Sequence, residues 1–423
     1  MHHFDYKHGV LHAEDISIKK LAETVETPFY CYSRATLERH YKVFEQAFSG
    51  IEHLVCYAVK SNSNQAVLTL MANSGAGMDV VSEGELRRAL SAGVPANKIV
   101  FSGVAKKRKE MQFALKVGIL CFNVESEPEL ERLSRVAREM GVTAHVSLRI
   151  NPDVDAKTHA KISTGKAENK FGIPWQKARE IYAKAASLEG LKVVGIDMHI
   201  GSQITSLEPF DSAFSRIGEL VKLLKEDGHD IQHVDVGGGL GIPYEKGADV
   251  PEPLAYAEVV RKHVETLGCK VIFEPGRMIS GNAGILVTEA VYIKQGEAKS
   301  FVIVDAAMND LIRPTLYEAH HEVDAVSEDR ENGPQFVADV VGPVCETGDY
   351  LAKDRLLPKF EEGDLIAVHS AGAYGATLSS TYNTRLLIPE VLVDGDQFAI
   401  IRPRGSYQDL IGQDEVPNWL LNQ

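Results

Sequence analysis

Eight short apolar runs, each followed by a stretch with helical spacing, constrain this chain more than anything else in it. The runs cover residues 54–59, 77–81, 99–102, 119–124, 144–150, 193–200, 231–236 and 271–273. Between them lie amphipathic stretches such as 82–92, 106–117, 127–140, 174–188, 209–226 and 253–267. Apolar runs without strict alternation read as strands buried on both faces, the signature of a parallel sheet. Strand–helix alternation then implies an α/β fold. Eight repeats in roughly 250 residues match a closed barrel. The expected fold class is therefore an eight-stranded (β/α)8 TIM-type barrel over residues 28–280; a doubly wound open sheet fits the count less well.

Helix starts support the rhythm. Ser82 precedes Glu85 at capping-box spacing, and Ser126 precedes Glu127 and Glu129. After about residue 281 the pattern changes to β-rich runs at 287–294, 300–305, 335–341, 364–369, 385–392 and 398–402. These predict a C-terminal antiparallel β-sandwich or barrel domain over 281–423. The segment 323–333 is charged and reads as a surface loop. Residues 1–27 are short-patterned, suggesting an edge strand and one short helix without a fixed place.

Bulk properties exclude several classes. The chain has 423 residues, with Lys+Arg 45 against Asp+Glu 59, a net charge of −14. That argues against nucleic-acid and anionic-membrane binding. No apolar run is long enough to span a bilayer. The first residues show neither a basic nor an apolar signal region. The five cysteines are odd in number and scattered, without paired zinc spacing. No metal site is expected, and a reducing, cytoplasmic location is.

Unusual residues gather where a barrel keeps its chemistry, at the C-terminal ends of strands. Lys60 ends the first strand and Asp79 lies near the end of the second. Arg149 and Asn151 follow the fifth, and His199, Gly201 and Ser202 the sixth. Gly237, Gly238, Gly239 and Gly241 follow the seventh; Glu274, Gly276 and Arg277 follow the eighth. Lys60 alone reads best as a solvated strand-end lysine. Its sharper reading is an amine in a dry pocket, tuned to form a Schiff base.

A glycine run after the seventh strand lets backbone N–H groups approach a phosphate, together with the backbone at Gly276 and Arg277. Glu274 could pair with Arg277, or face a heterocyclic nitrogen and keep it protonated. His199 could be a core histidine or a ring stacked on a flat cofactor. Lysine, phosphate site and ring-facing acid together specify pyridoxal 5′-phosphate.

At these residues the chain resembles the fold-type III pyridoxal-phosphate decarboxylases, and it does so along nearly its whole length. Cys56-Tyr57-Ala58-Val59-Lys60 resembles the family's Schiff-base motif, although Ser61 stands where alanine is more usual. His199 to Ser202 resembles the ring-stacking motif, Gly237 to Gly241 the phosphate motif, and Glu274 to Arg277 the pyridinium and phosphate motif. The resemblance implies an N-terminal barrel, a β domain completed by residues 1–27, and a homodimer with composite active sites. It implies that Cys345 and Glu346, in Gly342-Pro343-Val344-Cys345-Glu346, reach the site from the neighbouring subunit.

Glu346 and Asp310-Leu311-Ile312-Arg313-Pro314-Thr315-Leu316-Tyr317 resemble the branch of the family that acts on meso-2,6-diaminopimelate. By that resemblance the D-centre carboxylate leaves as CO2 and L-lysine is released. Arg277 and Arg313 would then take the distal carboxylate, Glu346 the distal ammonium, and Tyr317 a further hydrogen bond. Tyr374 would touch phosphate and substrate, Cys345 would return the proton, and Lys170 would pair with Asp349 across the dimer. Rival readings are a decarboxylase of another basic amino acid, a racemase on the same barrel, and a cofactor-binding protein without turnover. Glu274 argues against the second, Lys60 with Cys345 against the third.

Overall fold

A computed structural model describes residues 2–156, 158–165 and 169–421. The chain forms two compact units, Leu37–Gly281 and Met1–Thr36 with Asn282–Gln423.

The first unit is a closed barrel. Its strands are His53–Ala58, Gly77–Val80, Ile99–Phe101, Cys121–Val124, Ala144–Asn151, Leu191–Asp197, His233–Asp235 and Lys270–Phe273. Each pairs in parallel with its successor. The eighth closes on the first, with Phe273 opposite Val55. All eight lie where the apolar runs predicted strands. Leu54, Cys56, Val100, Cys121, Val194 and Ile272 form one buried cluster of strand residues. Two of the five cysteines thus serve as small core residues.

Helix starts follow local chemistry. Ser82 Oγ accepts from Glu85 N, and Glu85 returns a carboxylate to Val81 N. Ser126 makes no such cap, although Glu127–Met140 begins where expected. Outside the eighth strand, Phe48 and Phe273 rings sit 3.9 Å apart, with Phe44 edge-on to Phe273. This aromatic packing braces the strand that leads into Glu274.

The second unit is built on Gly284–Gln295, a long strand whose first residues are buried on both faces. It pairs antiparallel with Phe29–Ser33, Ser300–Val304 and Leu365–Val368. Most of the sheet is antiparallel as expected. Two pairings are parallel, Ser300–Val304 with Gln335–Val341 and Phe29–Ser33 with Glu390–Asp394.

Residues 28–36, which sequence reasoning had counted with the barrel, lie in this unit. The cause is plain: Phe29–Ser33 is an inner strand, buried throughout. The N-terminal segment holds three strands, Phe4–Lys7, Val10–Ala13 and Ile16–Ser17, and the helix Ile18–Val25. Phe4, Leu11, Ile18 and Leu21 share a core with Ile285, Val287 and Val391.

The segment 323–333 is not a plain loop. Val323–Ala325 is a buried strand against Leu365–Val368, followed by the short helix Glu328–Glu331. The strand Tyr350–Pro358 escaped the sequence reading altogether. Its middle, Lys353-Asp354-Arg355, is polar, and bulges interrupt its pairing with Gln335–Val341. Charged, irregular edges of this sort disguise a strand.

Candidate active site

Parallel register sets the first contact of the site. Ala58 lies opposite Asp79, so the residues that follow the first strand stand over the end of the second. Lys60 sits in the 3-10 turn Val59–Ser61 just past the strand. Its Nζ lies 2.5 Å from Asp79 Oδ2. The lysine side chain is 38% exposed and the aspartate fully buried. Neither sequence reading describes this amine. It is not extended into water, nor is it dry; it is ion-paired at the barrel mouth.

The glycine run after the seventh strand has a structural reason for each glycine. A Cβ on Gly237 would come within 2.6 Å of Met198 O, one on Gly238 within 2.4 Å of Glu274 O, and one on Gly239 within 2.4 Å of Gly201 O. Gly237 and Gly239 also have positive φ. These glycines therefore let the loops after strands six, seven and eight touch backbone to backbone. Asp235 Oδ1 accepts from Gly237 N, and His199 Nδ1 from Gly238 N. The latter bond fixes the histidine tautomer, with its proton on Nε2. Burial, Arg149 and Lys60 hold the His199 imidazole well below the usual histidine range, so it is neutral at physiological pH.

Gly276 packs on the lysine turn, where a Cβ would meet Ser61 Cβ at 2.8 Å. Pro275 O accepts from Ala58 N. Arg277 opens the short helix Arg277–Ser280 and donates to Ser202 Oγ at 3.0 Å and to the Tyr244 hydroxyl. Glu274 hydrogen-bonds residues at the third and fourth strands. Its Oε1 accepts from Ser102 Oγ and Asn123 Nδ2, both at 3.3 Å.

Beneath Glu274 lies a cluster that sequence reasoning missed. Carboxylate oxygens of Asp197, Asp235 and Glu274 all lie within 4.8 Å of one another, and all three residues are buried. Asn123 Nδ2 bridges to Asp235 Oδ2 as well. Burial, with Asp235, Asp79 and Asp197 close by, pushes the Glu274 carboxyl well above its usual range. Burial also raises Asp235, to about 7, and Asp197. Arg149 lies 4.0 Å from Asp197 but spends its shorter contact, 2.8 Å, on Glu125. Asp197 and Asp235 close their strands, and that position was the available signal.

This site suits pyridoxal phosphate on its own chemistry. A buried cluster of acids with few cations favours a protonated ring nitrogen beside Glu274. Asp79 Oδ1 is buried without a hydrogen-bond partner among the described residues. A primary amine stands at the same barrel mouth.

The remaining expected residues lie in the second unit. Arg313 opens the helix Arg313–Tyr317 and is buried; Tyr317 is partly so. Cys345 and Glu346 are exposed on a loop. That loop is shaped by Asp349, whose Oδ1 accepts from Met308 N and Oδ2 from Val344 N, both at 2.6 Å. Asp349 is only 4% exposed. Within the chain it folds the Cys345 loop. Lys170 stacks over Phe171, 5.2 Å from its ring centre. Thr315 Oγ1 donates to Gly348 O, and the Tyr350 hydroxyl to Pro314 O, tying the Arg313 helix to the Cys345 loop. Tyr374 is a non-glycine residue at positive φ.

Comparison with known proteins agrees with this chemistry. Residues 34–281 match the family described as "Pyridoxal-dependent decarboxylase, pyridoxal binding domain". The diaminopimelate decarboxylase of Haemophilus influenzae is 52% identical, over 97% of this chain and 98% of its own length. That of Pseudomonas aeruginosa is 53% identical, over 98% and 99%. A diaminopimelate decarboxylase from M. jannaschii, solved with L-lysine, superposes with a TM-score of 0.94 at 37% identity, over 99% of this chain and 98% of that one. The chain belongs to the pyridoxal-dependent decarboxylases, in their diaminopimelate decarboxylase branch.

Proposed function

We propose that this enzyme removes the D-centre carboxylate of meso-2,6-diaminopimelate, giving L-lysine and CO2, the last step of lysine biosynthesis. The observation that carries the chemistry is the pairing of Lys60 with Asp79 at the same barrel mouth as the buried Glu274 cluster. The choice of substrate rests on relatives about half identical along the whole chain.

The cofactor is pyridoxal 5′-phosphate, which when bound accepts the electron pair left behind by the departing carboxylate. Lys60 would hold it through its amine, and His199 would lie against its ring. Ser202, Gly237, Gly238, Gly239, Gly276, Arg277 and Tyr374 would surround its phosphate. Glu274 would hold the ring nitrogen, with Asp197 and Asp235 making that spot strongly attractive to a proton. Asp79 would hold the Lys60 amine while the substrate has taken its place on the cofactor.

In the second unit, Arg313 would take the distal carboxylate as a planar fork, aided by Arg277. Glu346 would take the distal ammonium and Tyr317 a further hydrogen bond. Cys345 would deliver the proton from its Sγ to the carbon that has lost CO2. The reading includes a homodimer in which Cys345 and Glu346 serve the neighbouring subunit, and a cytoplasmic location consistent with its free cysteines. Among the described residues, no helix is long and apolar enough to cross a membrane.

The test is incubation with meso-diaminopimelate and cofactor, followed by an L-lysine assay, with ornithine and arginine as controls. L-lysine from diaminopimelate and no amine from the controls supports the reading. Faster decarboxylation of ornithine or arginine contradicts it.

A further inference from the structure

We propose that His321 is a positioning residue for substrate selection: a neutral imidazole that aims the Arg313 guanidinium without neutralising it. This rests on the reading above, in which Arg313 takes the distal carboxylate.

The geometry assigns the protons. His321 Nδ1 lies 2.7 Å from His369 O, and a carbonyl only accepts, so Nδ1 carries the hydrogen. Nε2 is then a bare acceptor, and Arg313 Nη1 donates to it at 2.7 Å. A protonated imidazole could not make both bonds. His321 is 0% exposed and Arg313 5%, so water does not replace this contact.

The imidazole is itself held from behind. Arg355 Nη1 donates to His321 O at 3.1 Å and reaches His320 Nδ1 at the same distance, while its Nη2 donates to Glu322. His369 N donates to Glu322 O, and Val323 pairs with Val368 in the next rung. The histidine is thus built into the edge of a strand pair, and Arg313 is referenced to a sheet rather than to its own five-residue helix.

The choice of residue has a chemical consequence. Buried arginines ordinarily pair with a carboxylate, which cancels the charge offered to a ligand. A neutral acceptor fixes one edge of the planar fork and adds no negative charge of its own beside an incoming carboxylate. That suits a group whose task is to distinguish substrates that carry a distal carboxylate from those that lack it.

The test compares equilibrium binding of two ligands to the cofactor-loaded, full-length protein. L-lysine keeps the distal carboxylate; cadaverine has the same chain without it. His321→Ala should weaken L-lysine binding roughly 10- to 100-fold, the range of a lost charge-assisted bond, and leave cadaverine within about twofold. His321→Gln, a neutral acceptor, should recover most of the loss, and His321→Glu should not. Unchanged L-lysine binding in His321→Ala, or equal loss for both ligands, overturns the proposal. Arg313→Ala separates the two levels: if it spares the ratio of the two affinities, the assignment of Arg313 itself fails. If Arg313→Ala shifts the ratio and His321→Ala does not, only the positioning role fails.

Discussion

The barrel mouth and the Arg313–Cys345 region hold their proposed functional groups in opposite ways. In the barrel, Lys60, Asp79, His199, Asp235 and Glu274 sit at or just past strand ends, and parallel register alone brings them together. Their charges are crowded and under-neutralised, with three buried carboxylates inside 4.8 Å. In the second unit the groups ride on an exposed loop and a five-residue helix. There each is aimed by a dedicated partner, Asp349 for the Cys345 loop and His321 for Arg313. With the proposed roles, rigid strand ends suit the bond-breaking step, while separately braced loops suit choice of substrate and return of the proton.

Lys60→Ala should abolish turnover and the absorbance band of the lysine-bound cofactor, while the fold persists because Lys60 is part-exposed. Retention of that band in the variant would show that the amine lies elsewhere. Cys345→Ala should lower kcat by about 10²–10⁴-fold, the usual range for a positioned general acid. A stopped-flow or steady-state assay with kcat unchanged would remove Cys345 from the proton transfer.

Much of this contrast was readable from the residues. All eight barrel strands lie where apolar runs stand, because strands buried on both faces leave an uninterrupted mark. The Lys60, His199, Gly237 and Glu274 positions stood out because chemistry at strand ends interrupts that mark with polar residues and glycine. The helices Arg34–Ala47 and Gln65–Asn73 were passed over. The first precedes the first apolar run, at 54–59, and the second is short. Tyr350–Pro358 was lost because its charged centre breaks period two. The acid cluster was lost for another reason: Asp197 and Asp235 each look ordinary, and only barrel closure brings them to Glu274. His321 and Asp349 act through single contacts that no spacing announces.

Asp349→Ala removes the acceptor of two backbone amides. Each unsatisfied buried amide costs about 1–3 kcal/mol, so thermal unfolding should show a Tm lower by several degrees. An unchanged Tm would mean that the Cys345 loop does not depend on this acid. The barrel acids should show themselves through pH. Asp235 is raised to about 7 in the folded protein. Between its unfolded value near 4 and about 7, the folded state therefore binds more protons than the unfolded one. Its contribution to stability is favourable at low pH and declines as pH rises through that window. Asp235→Asn, which keeps an oxygen for Gly237 N but turns an NH2 toward Asn123 Nδ2, should cost stability at pH 4. At pH 8 its effect on the cofactor-free protein should be more favourable than at pH 4 by about 1 kcal/mol or more. Denaturant melts at both pH values check this; equal effects at pH 4 and 8 would mean that Asp235 does not hold the excess proton.

Reduction of the cofactor-loaded enzyme with borohydride, followed by digestion and mass spectrometry, reads out directly which lysine holds the cofactor. One pyridoxyl-phosphate adduct is expected, on Lys60, and none in Lys60→Ala. An adduct on another lysine, or one that survives in that variant, would contradict that assignment.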